Sequence, residues 1–539
     1  MGIFLNFTIC PERIPDHRWE EVYEEALRMV EPCDLLDCIC LERNGLKYAA
    51  ARKTEERVLS EGGLGICICG TMDSGFDMEQ FELFRRKPRL GGTGKPDNGA
   101  DILFFDCSGS EEPDFPEPTG TYTLWSDKTQ GRPGHIPLLA IACLFADRFP
   151  DAVSIGGDIT AGQCRAAVKL ANQSLERPIQ TPVTCRAEAL ALRLRGLDIP
   201  AQKQLAAFFR FFLDKLTPET GQILNRVFPE GALYQYFRAR AAEGETAGLR
   251  DTLRDYLLLR LDPPALFRML VQDPAGPRLT LEKALSLLFD WQVHIPVEDK
   301  NCVDPLALDA AVDGDAESPH EIEALMGRAF FSMLAGRNRS LPVYLPLGTI
   351  RAACRQTFPG GDTDALIDRL LAELVPDERQ QKVYGSDGGS LLNRMYQQAE
   401  DQMKQAAAYD LNEPQDLRRW RPGLTIAPGL EETLLQMMRK IRTFSTEHDF
   451  SEFLALDRAE RENYFIRLNR YVLIYETRWD YIFSRVMDND YIERFFLLFR
   501  VDCCYKTVHD LVSALLRNHS LIDMLWEQTS EASAAAADD

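Results

Sequence analysis

With 539 residues, 27% charged and 45% apolar, the chain has the make-up of a soluble globular protein and is too long for one hydrophobic core. Its net charge of −22 is spread over both halves, a field that repels nucleic acid and anionic membranes and excludes broad electrostatic binding to either. Fourteen cysteines, behind an opening stretch with no cationic leader, read as reduced thiols and point to the cytoplasm.

Gly2 to Cys10 reads as an opening strand, and Asp16 to Val30 as a helix. Leu35 to Leu41 and Leu64 to Cys69 read as strands. Ile102 to Phe105 is a further expected strand ending in Asp106, and Thr121 to Trp125 another, ending in Ser126-Asp127. His135 to Phe149 is apolar nearly all round, with Pro137 suited to a first helical turn, so it belongs in an interior packed on a sheet. Ala152 to Ile155 is a last strand. Thr160 and Gln163 then form the pattern of a capping box, and Cys164, Ala167, Val168, Ala171 and Leu175 make one apolar stripe. This alternation predicts an α/β (or α+β) domain over residues 1–187.

Beyond residue 187 the texture becomes one helix after another, which predicts a large all-α helical array. A helical domain is expected over 188–410. Its helix starts carry Pro after a capping residue at Thr217-Pro218, Asp262-Pro263, Asp304-Pro305 and Ser318-Pro319. Phe208, Phe209, Phe211 and Phe212 mark a helix central to that bundle. A C-terminal helical domain is expected over 411–528. There Phe465, Leu468, Val472, Tyr475, Trp479, Ile482 and Val486 recur at steps of three and four, a heptad seam. Val501, Tyr505, Val508, Val512, Leu515 and Ile522 form a second seam after Asp488-Asn489-Asp490. An antiparallel hairpin of two long helices is the simplest arrangement, with self-association through Phe465–Val486 as the alternative. Residues 529–539 read as a disordered acidic tail.

The candidate site is a set of strand-end polar residues: Asp106, Asp127, Lys128, His135 and Asp158, with Thr160 beside them. If their strands run parallel, these side chains converge on the carboxyl edge of a sheet, where open α/β sheets bind ligands. Asp106, Asp127 and Asp158 could then hold Mg²⁺, with Lys128 or His135 supporting an anionic substrate. The competing reading is ordinary cap and turn chemistry, with no cofactor. Arg85 to Lys95 is glycine-rich and cationic but fails as a phosphate-binding loop, since Pro96 stands where Ser or Thr is required. Cys38 and Cys40 with Cys67 and Cys69 lack the spacing of zinc knuckles. Arg418-Arg419-Trp420-Arg421 and the group Arg439, Lys440 and Arg442 are the basic clusters of the helical part.

No hydrolase elbow, zinc-protease, dinucleotide or kinase signature occurs. Two functions follow as expectations. One is an intracellular protein-interaction or regulatory protein, an α/β head on a helical scaffold that binds a protein partner and neither nucleic acid nor membrane. The other is a metal-dependent hydrolase or phosphate-handling enzyme working at the sheet edge.

Overall fold

The computed structural model describes residues 3–535 apart from 60–61, 73–74, 90–94, 106–114, 245, 261, 290–301, 304–338, 341–344, 346, 374–408, 448–449, 470–471, 502 and 504. These residues form an α/β head followed by a large helical array, as the patterning predicts. Among them no helix is long and apolar enough to cross a membrane.

The head opens with β1 (Phe4–Ile9) and α1 (Asp16–Val30). On α1, Trp19, Val22, Tyr23, Ala26 and Met29 recur at helical spacing and are all buried. Five strands follow: β2 (Leu35–Arg43), β3 (Leu46–Lys53), β4 (Arg57–Val58), β5 (Leu64–Thr71) and β6 (Gly75–Phe84). Asn44 and Gly45 join β2 to β3 with φ of 49° and 78°. Two left-handed residues make the primed turn whose twist matches a hairpin. Next come β7 (Tyr122–Lys128), α2 (His135–Arg148), β8 (Val153–Gly157) and α3 (Ala161–Ala171).

Two sheets result. In the smaller, β1 lies between β7 and β8 and is antiparallel to both. β7 and β8 therefore run parallel to each other, and their carboxyl ends meet beside the start of β1. α2 crosses this sheet, and every residue from Leu138 to Phe145 is fully buried. Phe7, Trp19, Trp125 and Phe145 interlock there, with centroids 5.0 Å apart for Phe7 and Trp125 and 4.6 Å for Trp19 and Phe145. Thr160 accepts the Gln163 N–H at 3.2 Å while Gln163 accepts the Thr160 N–H at 2.9 Å, the expected capping box at the start of α3. Thr160→Ala is expected to cost about 1 kcal/mol. A urea titration of the full chain checks this through the midpoint of its head transition.

The segment Ile102 to Phe105, expected as a strand, is instead a 3₁₀ turn over Ile102–Phe104. Asp101 decides this: its carboxylate accepts the Leu103 N–H at 2.9 Å and is gripped by Arg193 at 2.6 and 2.8 Å.

The second core lies in the helical array. Here α4 (Ala187–Arg195), α5 (Ala201–Phe211), α6 (Pro218–Val227), α7 (Ala232–Glu243), α8 (Thr246–Arg260), α9 (Pro263–Phe267) and α10 (Leu281–Leu288) pack with the helices Leu347–Thr357 and Thr363–Glu373. Thr217 and Asp262 cap the proline-led α6 and α9 as expected. Asp304-Pro305 and Ser318-Pro319 lie outside the described residues. Two short strands, β9 (Cys302–Val303) and β10 (Arg339–Ser340), pair in parallel.

The third core departs from expectation. The predicted seam from Phe465 to Val486 is no continuous helix, but a helix Arg458–Leu468, a strand β11 (Ile474–Tyr475) and a second helix Glu476–Arg485. Asn469 ends the first helix, and its side-chain amide donates to the Val472 carbonyl at 2.8 Å, turning the chain. β11 then adds in parallel to the edge of β3. The larger sheet thus reads β11-β3-β2-β5-β4, with β6 also on β5. The seam residues Phe465, Trp479, Ile482 and Val486 are buried within this chain, so they offer no surface for self-association. The second seam is likewise divided, between Lys506–Arg517 and a helix beginning at His519, and Tyr505 is exposed. The supposed acidic tail is helical as far as Ala535, and Thr529 is buried under Arg442. The alanines between 532 and 535 are the strongest of helix formers.

Candidate functional site

The register places Asp127 and Gly157 on opposite sides of the same residue, Leu5 of β1. Asp127 and Asp158 therefore share one end of the small sheet, about two strand spacings or 10 Å apart. The sheet is antiparallel and not parallel as the expected convergence required; β7 and β8 end on the same side only because β1 runs the other way between them. Asp106 lies outside the described residues.

Each of these side chains has a local task. The Asp158 carboxylate accepts the Phe4 N–H at 3.1 Å, and its own N–H donates to the Phe4 carbonyl at 2.9 Å, closing the end of the ladder. Asp127 is half-buried, and that burial pushes its carboxyl above the ordinary range, aided by the Glu79 charge and opposed by the Ser126 N–H. Lys128 lays its ammonium 5.2 Å from the centroid of the Phe4 ring. Its backbone N–H donates to Glu79, whose charge this contact holds beside Asp127.

His135 does not join them. It is fully buried at the start of α2, with Nδ1 2.7 Å from the Thr129 hydroxyl. The Thr129 hydroxyl also lies 3.2 Å from the Ile3 carbonyl, which accepts the Thr129 N–H at 2.8 Å, so residue 129 ties the imidazole to the start of β1. Nε2 faces Gln163 without a hydrogen bond of ordinary geometry. Burial lowers the imidazole pKa to about 4. Such a group is neutral at every ordinary pH and braces the sheet end.

The other candidates are similarly occupied. Arg85 pairs with Glu24 and Glu56, and Lys87 ties Asp16 and the Pro11 carbonyl. Arg418 forms a buried ion pair with Asp510, Trp420 is buried, and Arg442 stacks on Trp526 at 4.0 Å. Cys67 and Cys69 are buried, with Cys69 donating to the Leu36 carbonyl. Among the described residues no three His, Cys, Asp or Glu side chains are disposed to hold a metal.

Sequence reasoning missed a cavity of about 200 Å³ where the first and second cores meet. Val153, Ser154 and Ile155 of β8 form one wall, and the segment Gln180–Thr184, which runs into a 3₁₀ turn at Val183–Cys185, forms the other. Asp147, Arg186 and Arg193 bring charge to it. Asp147 accepts the Gln180 N–H at 3.0 Å, and Asn172 brackets Ile179 through both halves of its amide, so the second wall is held in place. A wider hollow lies at Phe358, Gly360 and Asp362, but Asp362 is spent capping the helix Thr363–Glu373.

Comparison with models of protein families, with curated proteins and with solved structures returns no match to this chain.

Proposed function

We propose that this chain is a cytoplasmic protein-interaction or regulatory protein in which a helical scaffold fixes the orientation of an α/β head. The observation that carries this reading is the lock between the β2–β3 hairpin and the C-terminal helices. Arg43 makes a two-pronged ion pair with Glu462 at 2.7 and 2.9 Å, and the Asn44 amide donates to the same carboxylate at 2.9 Å. Trp479 donates its indole N–H to the Ala49 carbonyl at 3.3 Å. Ile39 and Ala50 of the head belong to the same core as the C-terminal helices. Parts 400 residues apart in sequence are thereby held as one frame, which suits presentation of surfaces better than turnover. Eleven cysteines among the described residues form no disulfide, in keeping with a reduced compartment.

The hydrolase reading keeps one favourable observation, the shared sheet end of Asp127 and Asp158. Against it, the Asp158 carboxylate is already engaged by the Phe4 N–H. The two readings separate in one experiment on the intact chain, because removing the residues after 187 would strip β11 from β3. Affinity recovery from the host is expected to yield a stoichiometric protein partner, equally with wild type and with the Asp127→Asn/Asp158→Asn variant. A Mg²⁺-dependent rise in melting temperature that disappears in that variant would sink the interaction reading in favour of the enzyme.

A further inference from the structure

We propose that the unpaired edge of β8, with the cavity beside it, binds a short extended peptide segment carrying a carboxylate; this rests on the interaction reading above. β8 is an edge strand of the small sheet. Asp158 and Ala152 bond to β1 through Phe4 and Cys10. By alternation, Gly156 and Ser154 also face β1, while Val153, Ile155 and Gly157 point their backbone groups outward. The Val153 N–H is taken by the Phe149 carbonyl, but no backbone bond of the described residues reaches Ile155 on its outer side. An N–H and carbonyls presented in a row are the complement of another extended backbone.

The cavity lies along that row. Three consecutive residues of β8 line it, and consecutive strand residues point to opposite faces, so the space runs beside the edge and not over a face. The three residues of β8 that line it, at about 3.3 Å of rise each, give it a strand wall about 10 Å long. Thr184 supplies a further polar group. It is 5% exposed, and its hydroxyl has no hydrogen-bond partner of ordinary geometry, only the weakly bonding Cys185 thiol beside it.

Charge selects the occupant. Arg193 is neutralised by Asp101, whereas Arg148 is shared between Asp147 and Glu25. Arg186 is exposed and donates to the neutral Gln180 amide oxygen, with no carboxylate partner among the described residues. A guanidinium without a carboxylate partner of its own among the described residues thus stands at the mouth of the cavity in a chain of net charge −22. An acidic side chain or a free C-terminus is the natural complement.

The test selects randomised displayed peptides against the full chain. Recovered peptides are expected to share an acidic residue or a free terminal carboxylate and, as synthetic peptides, to slow exchange of the Ile155 amide. Arg186→Glu is expected to weaken their binding about tenfold or more, since it turns attraction into repulsion. Thr160→Ala, elsewhere on the head, should leave binding unchanged. Recovery of no sequence above background overturns the proposal, as do peptides indifferent to Arg186→Glu or without effect at Ile155. If Arg186→Glu still recovers the same host protein as wild type, the groove is not the docking site and the interaction reading stands. If peptides bind but no host protein is recovered by either form, the groove stands and that reading falls.

Discussion

Trp479→Ala should destabilise the protein by about 3–5 kcal/mol, the range for removing a large buried aromatic side chain, and the loss should be felt in two places at once. Trp479 is fully buried, stacks on Phe483 at 5.2 Å and meets Tyr48 edge-on at 5.3 Å. Tyr48 and the Ala49 carbonyl, which accepts the indole N–H, belong to β3 of the head. The variant therefore vacates space at the junction and orphans an acceptor on a strand that also carries β11. Amide exchange should accelerate at Ala50 and Ala51, the residues that pair with Ile474 and Tyr475. Phe453→Ala is the control. Phe453 packs on Tyr464, Phe465 and Phe496 of the same core, and its ring contacts all fall within the C-terminal helices. It should lower stability while sparing exchange at Ala50 and Ala51. Equal acceleration in both variants would mean that head and helices unfold as one unit, without a discrete joint.

That joint is what local sequence conceals. Asp16–Val30 was legible to the residue because its apolar spacing is helical and its contacts lie on one face. β3 was not. Its run of Ala49, Ala50 and Ala51 between Lys47 and Lys53 favours helix, and only ladders to β2 on one side and β11 on the other hold it extended. The Asn44-Gly45 pair is a strong hairpin signal that the reading passed over, and it alone would have placed β3. The seam from Phe465 to Val486 misled for a related reason. Two short helices flanking a two-residue strand happen to preserve steps of three and four, and Phe465, Val472, Trp479, Ile482 and Val486 are buried, with Leu468 and Tyr475 partly so. Spacing reports which residues are buried, but it does not tell whether the backbone between them stays helical through Asn469.

The candidate site divides along the same line. Asp127 and Asp158 lie at one sheet end because strand ends and caps are local features. Their tasks were not legible, because the Phe4 N–H that occupies Asp158 comes from 154 residues away. The groove beside β8 was invisible to patterning altogether. Its walls come from α2, β8, α4 and the stretch after Pro178, and whether an edge is open depends on what does not pack against it. Arg186 gave no signal, since one arginine gains meaning only when the neighbouring charges are already paired.

Stability should fall as pH drops from about 6.5 towards about 4, and His135 should be a principal cause. Its imidazole is held at about 4 when folded, against an ordinary value of 6.5, because burial disfavours the cation. Above 6.5 neither folded nor unfolded chain binds the proton, and the residue is silent. Below 6.5 the unfolded chain takes it up while the folded chain does not, so acid favours unfolding. At about 1.36 kcal/mol per unit, the full effect is on the order of 3 kcal/mol, complete near pH 4. His519, stacked on Tyr481 and also lowered by burial, acts with the same sign. Asp127 acts oppositely, since a carboxyl raised by burial binds its proton more readily in the folded chain and gains stability from acid. Asp97, held down to about 2 chiefly by Arg13, loses its contribution only below about 3.8, outside the histidine window. Comparing His135→Gln with wild type removes these other groups, because they are common to both. The glutamine amide can still donate to the Thr129 hydroxyl, so the sheet end keeps its brace. Urea unfolding between pH 7 and pH 4 should show the gap between the two proteins changing by about 3 kcal/mol in favour of the variant. Parallel curves would mean that His135 takes its proton inside the folded protein, and that the sheet end is open enough to serve as a titrating site after all.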